Sequence, residues 1–136
     1  MAYWLLKTEP DCWSWQDQVR DQQTSWDGVR NFQAQKHMRA MREGDEAFFY
    51  HTGSERRIMG TVKIVREAYP DTTDPTHRFS MVDVETLSPF AAPVTLTRIK
   101  QDPRCHHLAL IKQGRLSVVP VDEETWYLIS SWGHPA

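Results

Sequence analysis

The stretch RIMGTVKIVREA, Arg57 to Ala68, decides the fold. Ile58, Val62, Ile64 and Ala68 stand on even positions, a period of two that predicts a strand with one face inward. Gly60 interrupts the inward row and predicts a bulge or a point where another chain segment comes close. On its upstream side Glu46 to His51 predicts a strand and Thr52-Gly53-Ser54 a turn. Downstream, Tyr69 to Pro75 is a Pro/Asp/Thr loop. Phe79 to Leu87 then alternates again, Phe79, Met81, Asp83, Glu85 and Leu87 against Ser80, Val82, Val84 and Thr86. Three successive strands form the middle of the chain.

Short helices and further strands flank them. Tyr3-Trp4-Leu5-Leu6 is a buried strand stopped by Glu9-Pro10. Ser14 with Asp17 resembles an acidic capping box for a helix through about Arg20. Asp21 to Ser25 is expected to be a polar loop, and Asp27-Gly28 a turn. Asn31 is a good N-cap for a helix carrying Phe32, Ala34, Met38 and Met41, with Gly44 as its stop. Pro89 and Pro93 are expected to break the chain before a short helix at Leu96 to Gln101, and Asp102-Pro103 breaks it again. Leu108 to Ile111 is an apolar run, Gln113-Gly114 turns, and Leu116 to Val121 is a last strand. Asp122 caps a final helix with Trp126, Leu128, Ile129 and Trp132 on its apolar side. The fold class is α+β, with a strongly bent sheet or a small barrel.

The 136 residues suffice for one domain with its own core, expected to span residues 1–136. The N-terminus carries no basic segment followed by a long apolar run, and no apolar run is long enough for a membrane span. Cys12 and Cys105 are too few for a disulfide framework. The expected location is the cytoplasm, without membrane association, as a monomer.

The net charge of -2 argues against a protein that holds long duplex by phosphate neutralisation alone. The charge is uneven, however. Arg98, Lys100, Arg104, Lys112 and Arg115, with His106 and His107, face one acid, Asp102. A solvated face and a phosphate-binding patch both fit that run.

Phosphate-loop and dinucleotide glycine motifs are absent. Cys105-His106-His107 lacks ligand spacing and a second cluster, so no metal is expected. Ser117 has no nucleophile-elbow context. No cofactor and no catalytic residue is expected.

Three places can carry recognition chemistry. In SWDGVRNFQ, residues 25–33, Trp26 precedes the helix start at Asn31, where free backbone N–H groups collect. Trp26 is either a core plate or one wall of a pocket for a flat ligand. Asn31 either caps only, or also offers its donor and acceptor to a base edge. Tyr50-His51 ends a strand and Arg115-Leu116-Ser117 enters another; both positions are open to a structural or a binding role. Spacing alone favours the core reading of Trp26.

Taken together, YWLLKTEPD, WDGVRNFQA, REGDEAFFYHTG, MGTVKIVREAYPD, FSMVDVE and RLSVVPV resemble the EVE domain family, part of the PUA-like group and related to YTH domains. The matching segments run in family order through nearly the whole chain. The resemblance implies a small mixed β-barrel flanked by short helices, and a nucleic-acid partner carrying a modified base. It assigns Trp26 to an aromatic wall and Asn31, with Arg30 in the same motif, to the polar neighbourhood. Lys7, Thr8, Glu9 and Pro10, with Tyr50 and His51, would surround the opening, and Arg115, Leu116 and Ser117 the far side. Chain order places no second cage tryptophan; Tyr50, Phe32 or an aliphatic residue are candidates for the facing wall. This reading shifts Trp26 from core to pocket wall, and expects Trp26→Ala to abolish binding while leaving most of the melting temperature. The alternative is a small hydrolase acting on a modified nucleoside, because the PUA-like group also holds ASCH amidohydrolases and Lys7, Thr8 and Glu9 form a potential acid/base set.

Overall fold

A computed structural model describes residues 1–134. The long central strand is present. β4 spans Arg57–Pro70 and pairs antiparallel with β3, Glu46–His51, and with β5, Ser80–Thr95. β1, Tyr3–Thr8, adds to β3 in parallel, with Leu5 opposite Phe48 and Lys7 opposite Tyr50. β6, Val118–Val121, closes that side, antiparallel to β1. β2, Gln23–Trp26, pairs antiparallel with β5 at the other edge. The six strands run in the order β2-β5-β4-β3-β1-β6.

The sheet is a small mixed barrel flanked by short helices, the PUA-like architecture. The cause lies in β4. Its register to β5 shifts at four places, beginning between Ile58 and Gly60. Each such irregularity increases local twist and bends the strand. Curling carries β2 toward the entry of β6, so residues from both edges line one cavity. Gly60 is also a close-approach point, since a Cβ there would stand 2.5 Å from the Trp15 ring and 2.6 Å from the Ser88 carbonyl.

Among the described residues five α-helices cover the sheet: α1, Trp15–Asp21; α2, Phe32–Ala40; α3, Leu96–Gln101; α4, Ala109–Lys112; and α5, Glu123–Gly133. Ser14 and Asp17 form the reciprocal capping box, and Asn31 and Asp122 cap α2 and α5 through their side chains. β3 is buried on both faces. Phe48 stacks on Trp126 of α5 at 3.9 Å, while its neighbour Phe49 meets Trp15 and Trp26 edge-on at 5.1 and 5.5 Å. Two aromatic layers therefore share one strand, and the second of them reaches the site.

Three expectations need correction. Asp21 to Ser25 is not all loop: Gln22 turns the chain with φ 65 and Gln23 to Trp26 form the edge strand β2. The segment reads as polar because Gln23 and Ser25 face solvent while Trp26 faces inward. Pro89 and Pro93 do not end the third strand, which runs on to Thr95. β2 pairs β5 only at Val82 to Glu85, so both prolines stand where β5 has one neighbour, and a missing N–H breaks no ladder there. α2 stops at Ala40, before Gly44, whose φ of 94 serves the turn into β3.

Candidate functional site

A cavity of about 640 Å³ opens where the ends of β1, β2 and the entry to β6 meet. That volume lies within the usual range for small-molecule sites. Lys7 and Thr8 come from the end of β1, Trp26 from β2, Arg30 and Asn31 from the loop before α2, and Ser117 from the approach to β6. The chain brings these six candidates together from three separate segments. Lys7 N–H donates to the Ser117 carbonyl at 3.0 Å, which extends the β1–β6 pairing up to the rim.

Trp26 answers to both readings. It is 7% exposed and meets Phe49 at an interplanar angle of 85°, so it belongs to the core; it also lines the cavity. Its indole N–H makes no hydrogen bond among the described residues, yet no fully enclosed side-chain polar atom among them is left unpaired. The N–H therefore keeps some solvent access, on a side chain that lines the cavity. Asn31 divides its amide in a similar way. Its Oδ1 accepts from the Ala34 N–H at 2.9 Å, which fixes the orientation of the amide and leaves the NH2 group without a protein partner among the described residues.

Trp13 also lines the cavity, and sequence reasoning did not find it. Its indole N–H donates to Gln18 Oε1 at 2.9 Å, and Gln18 is wholly buried. The Thr8 hydroxyl donates to the Trp13 carbonyl at 2.9 Å. The available signal was position: Trp13 directly precedes the N-cap Ser14, where an apolar side chain fixes the entry to a helix.

The loop at residues 27–30 is held by a buried acid from the β4–β5 connection, which also went unread. Asp71 Oδ2 accepts from Gly28 N–H at 2.9 Å and from Arg30 Nη1 at 3.0 Å. Its Oδ1 accepts from the backbone and hydroxyl of Thr73. Burial opposes ionisation of Asp71, but the bonds from Thr73, Gly28 and Arg30 outweigh it and hold the carboxyl at about 2. Gln35, also buried, donates to the carbonyls of Val29 and Ser80. Arg30 thus borders the cavity with its guanidinium committed to Asp71 and Thr73.

The remaining candidates lie outside this lining. His51 is 4% exposed and points inward. Its Nε2 accepts from the Trp15 N–H at 2.9 Å, so Nδ1 carries the proton and donates to Glu55 at 2.9 Å. The imidazole anchors the start of α1. Tyr50 lines a second cavity, on the other side of Lys7. Leu116 is buried, while Glu9 and Arg115 are exposed. Pro10 follows Glu9 on the same turn, closed by Cys12 and Trp13 N–H bonds to the Glu9 carbonyl. Phe32 is 69% exposed and leans on Phe79 at 5.6 Å.

Lys7, Thr8 and Glu9 do not converge as an acid/base set. Lys7 Nζ donates to the Gly114 carbonyl at 2.9 Å, and half-burial lowers its pKa. The Thr8 hydroxyl is tied to Trp13, and Glu9 stands in solvent. Among the described residues no group of three or more His, Cys, Asp or Glu could hold a metal ion.

A curled mixed sheet with a tryptophan-walled cavity at its seam defines a PUA-like binding domain. The EVE domain model matches residues 2–132, and the chain belongs to the EVE domain family. Human thymocyte nuclear protein 1 is 34% identical, over 96% of this chain and 73% of its own length. The NMR structure of Rpa0253 from Rhodopseudomonas palustris is similar with a TM-score of 0.92 and 47% identity, over 98% of this chain and 93% of that one. The crystal structure of human THYN1 in complex with 5-methylcytosine-containing DNA has a TM-score of 0.91 and 32% identity, over 100% and 99%. A Zygosaccharomyces rouxii YTH domain, at 12% identity and a TM-score of 0.59, shares the fold.

Proposed function

We propose that the Trp26 cavity binds one modified nucleobase of a nucleic acid, without chemistry on the base. The observation that carries this reading is Trp26 itself. One part of the indole is fixed against Phe49, while its N–H keeps solvent access, and Trp26 shares the cavity wall with Asn31, whose NH2 has no protein partner among the described residues. A rigid plate with two unpaired donors suits a flat ligand that carries acceptors on its edge. The human relative's complex with 5-methylcytosine-containing DNA makes methylated cytosine in DNA the first ligand to test.

The energies set the expected behaviour. Stacking a base on one aromatic is worth about 1–3 kcal/mol, and extruding it from a duplex costs a few kcal/mol. Stacking and extrusion roughly cancel, so edge hydrogen bonds and phosphate contacts supply the net affinity. A buried methyl adds about 0.8 kcal/mol, a roughly fourfold preference. The Trp26 N–H and Asn31 NH2 discriminate between bases whose edge acceptors differ, whereas cytosine and 5-methylcytosine share the same polar edge, so the preference for the methyl stays graded.

The test is a titration of DNA oligonucleotides with and without one 5-methylcytosine, using the wild-type chain and Trp26→Leu. The leucine variant is expected to lose about 1–3 kcal/mol of binding and most of the preference for the modified base. Equal affinities of wild type and variant for both oligonucleotides would remove the base from this cavity.

A further inference from the structure

The second cavity, about 370 Å³, meets the first at Lys7. Its lining holds three cations, Lys7, Arg56 and Lys100, and no carboxylate. Glu55 lies nearby, but its carboxylate is engaged by His51 and Arg57. Tyr50 is 2% exposed, and its hydroxyl makes no hydrogen bond among the described residues. Because no fully enclosed side-chain polar atom among the described residues is left unpaired, that hydroxyl keeps some solvent access, on a side chain that lines the cavity.

Burial pushes the Tyr50 hydroxyl up to about 12, with Arg56 acting the other way, so the group keeps its proton and donates. Arg56 has a φ of 44, a left-handed backbone that non-glycine residues adopt at a cost. Its carbonyl accepts from the Leu96 N–H at 2.8 Å and its Nε donates to the Gly53 carbonyl at 3.2 Å. The Lys100 ammonium forms no hydrogen bond or ion pair among the described residues, although its backbone carbonyl is engaged by His106. A near-buried donor that faces outward beside the exposed cations Arg56 and Lys100 suits an anionic acceptor, which gains charge-assisted bonds that a neutral occupant would not.

We infer that this second cavity holds a backbone phosphate of the same strand whose modified base enters the Trp26 cavity, with Tyr50, Arg56 and Lys100 as its donors. The inference rests on the base-binding reading. Lys7 walls both cavities, so the two occupants are neighbours along one strand. A base turned out of its stack swings its own backbone toward the protein, which brings an adjoining phosphate to the opening. The site supplies affinity and register, and no preference for the modification.

The test pairs protein variants with single methylphosphonate substitutions, which remove one phosphate charge, in a DNA oligonucleotide carrying one 5-methylcytosine. Tyr50→Phe keeps the buried ring and Lys100→Gln is on the surface, so both are expected to fold. One methylphosphonate position near the modified base is expected to weaken wild-type binding about tenfold. The same position should cost less than about twofold in the Tyr50→Phe/Lys100→Gln variant. That variant should bind modified and unmodified oligonucleotides more weakly by the same factor. A methylphosphonate scan whose profile is unchanged in the variant overturns the inference. Inorganic phosphate shifting the NMR signals of Tyr50 and Lys100 while the scan stays flat also overturns it, in favour of a free anion. The base reading fails separately: if Trp26→Leu changes nothing while the phosphate step depends on Tyr50 and Lys100, the anion site stands and the base cavity does not.

Discussion

At the scale of single residues, Trp26 and Asn31 each serve the fold and the cavity at once, and this changes how they are tested. Trp26 is 7% exposed. Truncating a tryptophan so buried costs about 3–5 kcal/mol, a large part of the roughly 5–15 kcal/mol that holds a domain together. Trp26→Ala is therefore expected to lower the melting temperature as well as binding, as the core reading from spacing implies and contrary to the expectation from the resemblance. Asn31 can be separated cleanly, because its two amide atoms do different work. Asn31→Asp keeps an oxygen for the Ala34 N–H and removes the outward NH2. Thermal melting of Asn31→Asp should match wild type, while its affinity for a modified oligonucleotide falls. Asn31→Ala should also lose about 1 kcal/mol of stability with the cap. If the aspartate binds as wild type does, Asn31 is a cap alone.

Among the elements, the loop before α2 depends on the β4–β5 connection. Asp71 takes up its proton less readily in the folded chain than in the unfolded one, where its carboxyl has an ordinary value near 3.8. Its stabilising contribution is therefore complete above about pH 4 and is lost as pH falls toward 2. Asp71→Asn should flatten the stability–pH profile in that window. At neutral pH it should lose about 1–3 kcal/mol, since a charge-assisted bond to Arg30 and the bonds to Gly28 and Thr73 are weakened. Urea titrations of both proteins across that range check this; parallel profiles would show that Asp71 does not govern the acid limb. Gly60→Ala tests the bend in β4. The added methyl meets Trp15 and a backbone carbonyl, and overpacking of this kind costs about 1–3 kcal/mol.

The elements also show what could be read from the sequence and why the rest could not. Strands β1, β3 and β4 and the caps at Ser14, Asn31 and Asp122 were legible because short apolar runs, the alternation in β4 and capping are local signals. β2 was hidden, since an edge strand with Gln23 and Ser25 in solvent carries the composition of a loop. The continuation of β5 through Pro89 and Pro93 was hidden as well, because proline is tolerated where a strand has one neighbour instead of two, and the number of neighbours is a property of the sheet. The same limit applied at the site. Trp26 and Asn31 share a motif and could be singled out, whereas Trp13 and Asp71 reach the cavity and its loop only through the curl of the barrel.

For the whole molecule, a net charge of -2 and a local basic run predict a moderate dependence on salt. Arg104 is held by Asp102 at 2.7 Å, and Arg98 lies 4.5 Å from the Trp132 ring centre. Lys100, Lys112 and Arg115 form no ion pair among the described residues, and Arg56 stands with Lys100 at the second cavity. Three or four phosphate contacts give a slope of log K against log salt near −3. Affinity should thus fall roughly 60-fold between 50 and 200 mM salt. Arg115→Gln should reduce the slope by about 1 and Arg104→Gln should leave it unchanged, because Arg104 already has its counter-charge. Fluorescence titration of one oligonucleotide over that salt range measures all three slopes. A wild-type slope several times steeper would mean that the phosphate track extends well beyond these residues.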